Sequence, residues 1–282
     1  MRKKQINKRN FKNLFSIKKS WFFLISMLFF AIFSTKSAAF DDFLQKIQTK
    51  LIKETNNPSF KGGEKLKYKI SYGLQNSSGG VLFAAYAHLH AKDSIINDSI
   101  PVYSLSAQGK TNRVFSWFMK VNHQYKTILD ANNLHTIEHK MDIEEGKFFN
   151  QEHVFFNKDS TLWNLKTNDI LGAGYRLRTI PPEQLALQDT VFFSYYYDGI
   201  IYSSYLLNLG EEILNTKFGK IKTIKCSPLL EKGRMFKKET GAYVWVTADE
   251  MHIPVKIELP ILVGSVYVTL SSYENTLFDI KN

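Results

Sequence analysis

The chain is poor in cysteine: one, Cys226, in 282 residues. No intramolecular disulfide can form, so an extracytoplasmic fold of this length must rest on its core. It also lacks acidic residues where basic ones are densest. Residues 1–39 hold no Asp or Glu but nine cations: Arg2, Lys3, Lys4, Lys8, Arg9, Lys12, Lys18, Lys19 and Lys36. Removing those nine from the 37 basic residues leaves 28, against 26 acidic ones. The formal charge of +11 therefore belongs to the N-terminus, and the remainder offers no global basic field for nucleic acid. Beyond the N-terminal segment no long apolar run occurs, which excludes a helical membrane protein. Also missing are G-x-S-x-G, the serine-hydrolase elbow, and G-x-x-x-x-G-K-[ST], the phosphate loop.

What is present begins with an address. A basic stretch ends at Lys18-Lys19. The apolar run Trp21 to Phe33 comes next, and then the small triplet Ser37-Ala38-Ala39 before Phe40. That order is the secretory signal pattern, and the apolar run is shorter than the roughly 20 residues of a spanning helix. Residues 1–39 are read as a signal peptide. An uncleaved anchor is the alternative, and either form exports the rest of the chain. Residues 40–61 read as a leader with a short helix, capped by Asp41 or Asp42 and ended by Asn56-Asn57-Pro58.

From residue 62 the hydrophobic period is two. Leu66, Tyr68, Ile70 and Tyr72 alternate with Lys65, Lys67, Lys69 and Ser71, as in a strand with one wet face. Turn clusters recur at Asn76–Gly80, Asn97-Asp98, Asp130–Asn133 and Asn157–Ser160, with strands between them. Phe115, Trp117 and Phe118 suggest a short helical or irregular insert. Val191, Phe192, Tyr195 and Tyr196 fit one helix capped by Asp189 and ended by Gly199. The expected fold is mainly β: a curved antiparallel sheet or open β-barrel with one or two short helices, residues 62–282 forming a single domain.

Few residues point to chemistry. His135-Thr136-Ile137-Glu138-His139 spells H-x-x-E-H, but zinc hydrolysis needs that motif on a helix. On a strand Glu138 faces away from both histidines. His88 and His90 share a strand face, and four imidazoles would converge if the two strands met. Cys226 shares the period of Lys220 and Lys222, which does not commit it to the core. Gly172-Ala173-Gly174 reads as a loop, and the pairs Glu144-Glu145 and Glu211-Glu212 read as solvated ends. No catalytic, cofactor-binding or metal-binding residue is assigned.

Several segments resemble a known family when taken in order. They are Gly63 to Gly73, Lys225 to Leu230, Gly241 to Asp249, Ile253 to Ile257 and Gly264 to Val266. The set resembles domain of unknown function 3108, across about residues 62–272. The resemblance implies a curved antiparallel sheet or open barrel in the periplasm or outer envelope of a Bacteroidetes-like bacterium. It carries no catalytic residues and no cofactor. The functional expectation is a non-enzymatic envelope module that binds a lipid, another apolar ligand or an envelope protein partner on its curved sheet. It has no nucleic-acid partner and meets the membrane only through its N-terminal segment. The alternatives are an enzyme acting on envelope polysaccharide or lipid, and a structural or assembly protein.

Overall fold

The structure, a computed structural model, describes residues 59–73, 80–157, 161–181, 190–229, 241–261 and 264–280. The signal segment and most of the leader lie outside them. The strands are β1 (Lys65–Gly73), β2 (Leu82–Ile96), β3 (Ile100–Thr111), β4 (Val121–Asp130), β5 (Thr136–Glu145), β6 (Phe148–Phe155), β7 (Asn168–Asp169), β8 (Thr190–Tyr197), β9 (Ile200–Thr216), β10 (Gly219–Pro228), β11 (Tyr243–Thr247), β12 (Pro254–Pro260) and β13 (Ser265–Glu274). Three short helices intervene: α1 (Arg113–Phe118), α2 (Thr161–Asn164) and α3 (Ile170–Leu177).

All thirteen strands form one sheet in the order β6-β5-β4-β3-β2-β1-β13-β12-β11-β10-β9-β8-β7. Every pairing is antiparallel except that of the two-residue β7 with β8. Two meanders thus meet at the β1–β13 pair, and the sheet stays open between β6 and β7. The alternation in β1 has its expected effect: Leu66, Tyr68 and Ile70 are buried, and Lys65 and Lys69 are exposed. Their cluster continues across Ala85, Ala87, Val266, Val268 and Leu270 of the neighbouring strands. Burying such side chains stabilises the fold by about 25 cal/mol per Å² of apolar surface.

The expected helix at Val191–Tyr196 is instead strand β8. The spacing i, i+1, i+4, i+5 also fits a strand covered on both faces, and Val191, Tyr195 and Tyr196 are buried here. A run of β-branched and aromatic residues prefers that pleated surface. Asp198 (φ 47°) and Gly199 (φ 78°) then form the two-residue turn into β9. Two successive left-handed residues match the twist of a hairpin. Asp189 lies outside the described residues. Thr161–Trp163, which follow the last of the turn clusters, open α2, and Gly172-Ala173-Gly174 lies inside α3 rather than in a loop. The insert near Phe115 is helical, with Asn112 as its cap.

Candidate functional site

Helix α3 sits against the concave face of the sheet, touching β3, β4 and β8. Its start is fixed by Asp169, whose carboxylate accepts from Leu171 N at 3.1 Å and Gly172 N at 3.3 Å. The same carboxylate accepts from Thr127 Oγ1 at 2.7 Å and Thr136 Oγ1 at 2.8 Å, which pins the helix to β4 and β5. Gly172 permits the approach, because a Cβ there would stand 2.7 Å from Thr136 Oγ1 and 2.9 Å from Leu129 Cδ2.

Between α3 and the sheet lies a cavity of about 250 Å³. Its wall is almost wholly apolar. Leu89 and Tyr125 line it from one meander, Leu206 and Val246 from the other, and Leu177 from the helix. Gly174 is the exposed member of the lining and marks where the cavity meets solvent. Cys226 also lines it. The period of β10 leaves the place of this thiol open, and the structure buries it. The wet face of β10 at Lys220 and Lys222 turns inward from Ile224 onward, where the curving sheet covers it. Burial pushes the thiol up to about 12, so it is no nucleophile at neutral pH.

One end of the cavity is closed by Arg178, just beyond α3. Its guanidinium donates to both Glu64 oxygens, at 2.6 and 2.8 Å. It also donates to Met251 O at 3.0 Å and Ser59 O at 3.1 Å, and it lies over the rings of Phe60 and Tyr175. Glu64 and Arg178 are both buried. A buried ion pair is tolerated only when its remaining hydrogen-bonding groups are met, as they are here. Arg178 O in turn accepts from Ser59 Oγ at 2.7 Å and from His252 Nδ1 at 2.8 Å. The end of the leader, the start of β1, the end of α3 and the β11–β12 turn thus meet at one residue.

The open side of the sheet is spanned by polar side chains. His139 Nδ1 lies 3.1 Å from Asp169 Oδ2, and His139 Nε2 lies 3.9 Å from Glu152 Oε2. Tyr196 OH donates to Glu152 Oε1, which links β8 to β6, and burial with that bond raises the Tyr196 phenol above its ordinary range. Asn150 Nδ2 donates to Asp198 Oδ1 at 3.1 Å. An Asp–His pair invites a hydrolase reading, but His139 is fully buried and neighbours carboxylates and a phenol rather than a serine or thiol. It braces the seam.

The remaining sequence candidates are dispersed. A register shift in β5 beside Ile128 places Thr136, not Ile137, on the inner face with His139. Glu138 points away, to His153 and Lys140. His88 and His90 lie on β2, which β3 and β4 separate from β5, so the four imidazoles do not meet. Glu145 is not a solvated end: it is buried, 2.9 Å from the equally buried His123. Sequence reasoning missed Arg178, Glu64 and His252 altogether. The signal available was the opening Gly63-Glu64, an acid just before an inward-facing strand, and it named no partner.

Comparison with known proteins came to three findings. The family model described as protein of unknown function (DUF3108) matches residues 67–271. No curated protein matches the chain in sequence. Among solved structures, the chain is similar to a β-barrel-like protein of domain of unknown function DUF1849 from Brucella abortus. Identity is 8%, coverage 77% of this chain and 98% of that one, and the TM-score 0.43. It is also similar to the Mycobacterium tuberculosis lipoprotein LppX, with 12% identity, coverage of 86% and 100%, and a TM-score of 0.21.

Proposed function

This chain belongs to the family of unknown function DUF3108, and from that premise we propose that it is an exported envelope protein holding a small apolar ligand inside its sheet. One observation carries the reading: the cavity of about 250 Å³ between α3 and the concave face. Packed interiors leave few voids larger than a water molecule. A space several waters in volume, walled by aliphatic and aromatic side chains and reached beside Gly174, is a ligand pocket in size and chemistry. The buried seam histidines and the protonated Cys226 supply no accessible catalytic group, which favours binding over turnover. The basic, apolar and small-residue order of residues 1–39 supports export to the periplasm or outer envelope. Residues 62–282 then act as one β domain.

Native mass spectrometry of the protein taken from an envelope fraction without detergent tests this. A co-purifying mass of lipid or fatty-chain size, removed by organic extraction, is the expected result. A bare protein mass that stays bare after incubation with medium-chain alcohols and acids would sink ligand carriage.

A further inference from the structure

The cavity wall contains a ring nitrogen whose hydrogen bonding is incomplete. His252 lines the cavity and is buried. Its Nδ1 lies 2.8 Å from the carbonyl oxygen of Arg178. A carbonyl can only accept, so Nδ1 holds the proton and donates. In a neutral ring Nε2 is then a lone-pair acceptor, on the edge turned away from that carbonyl. Nε2 is buried and has no hydrogen-bond partner among the described residues. Burial lowers the imidazole below its ordinary value, which keeps the ring neutral near pH 7.

The backbone adds a second observation. His252 closes the β11–β12 turn at φ 42°, in the left-handed region where Gly or Asn fits at less cost. The ring is held by the Arg178 carbonyl, and the chain beside it by Ile253 N donating to Thr247 Oγ1 at 2.9 Å.

Resting on the cavity reading, the geometry points to a ligand that is an apolar chain ending in a neutral hydrogen-bond donor, with its hydroxyl on His252 Nε2. The charge at this end of the cavity argues against a carboxylate. Arg178 is the cation lining it, and Glu64 already takes both of its terminal nitrogens. At this end of the cavity a bound carboxylate would meet a compensated pair and a lone pair. A hydroxyl completes the open acceptor on Nε2.

Two isomers separate the donor from the chain. 1-Octanol and dibutyl ether have the same atoms, but only the alcohol donates. Calorimetric titration of the delipidated full-length protein should show 1-octanol binding about tenfold tighter, the equivalent of about 1.4 kcal/mol. His252→Asn, which tolerates the turn, should abolish that preference while ether binding persists. In the ¹⁵N spectrum, the His252 Nε2 resonance of the native protein should move with the alcohol and stay with the ether. Equal affinities for the two isomers, or a preference surviving in His252→Asn, would overturn the His252 assignment and leave the cavity reading standing. Binding of neither isomer would overturn both.

Discussion

Arg178 and Glu64 show how one pair of charges can be both indispensable and replaceable. Each is buried, and Arg178 donates to both oxygens of Glu64. Removing one leaves an uncompensated charge in the interior, a loss of about 3–5 kcal/mol. Glu64→Ala and Arg178→Ala should each lower stability in urea unfolding by that much. The double replacement Glu64→Leu with Arg178→Met should cost less than either single change, because no orphan charge remains. Cys226 makes a prediction of the opposite kind, visible only in base. Its thiol is pushed from 9.0 to about 12 on folding. The folded state therefore binds the proton more tightly, and this contribution is intact below the unfolded value. It is lost as pH rises through that value toward the folded one. Denaturant midpoints of the native protein and Cys226→Ala, compared from about pH 8 to about pH 10, should shift against the native protein as pH rises.

Among the elements, α3 decides what the interior can hold. Gly174 is the position to perturb, since nothing lies within 4 Å of a Cβ placed there. Gly174→Ala should raise stability by about 0.5–1 kcal/mol in urea unfolding, through a stiffer unfolded chain and better helix propensity. Gly174→Phe should keep the fold and displace the co-purifying mass expected in native mass spectrometry, because Gly174 lines the cavity and has open space around its Cβ position. The uneven legibility of the elements has physical reasons. β1 was readable because one face is wet and its lysines mark the period. β8 was not, because covering both faces erases the alternation that separates strand from helix. α3 was hidden by its shortness, its two glycines and a cap that depends on Thr127 and Thr136, more than thirty residues away. The cavity left no mark, since residues that line a void are the same types that fill a core. His252 sits in no motif, and its two nitrogens acquire different roles only once Arg178 O is placed beside one of them.

At the scale of the molecule, the sheet is joined in the middle and parted at the edges. β1 and β13 pair along nine residues of β1, with Lys65 reaching Glu274 at 3.0 Å across 209 residues of sequence. β6 and β7, neighbours in sequence, end up as the two free edges. Among the described residues, side chains cross between the two ends of the sheet through Glu152, Tyr196, Asn150 and Asp198. In cyclic terms the strand order is one uninterrupted round, from β7 up to β13 and on through β1 to β6. The point at which the linear chain is cut falls inside the sheet, and the point at which the sheet is cut falls inside the chain. A circular permutant that tied residue 274 to residue 65 and opened between residues 157 and 161 would bring the two cuts together. Each of its antiparallel ladders would then join strands consecutive in the new chain, so its contact order would fall and its slowest closure would disappear. The natural order keeps that closure, and so the central ladder cannot form until β13 is present.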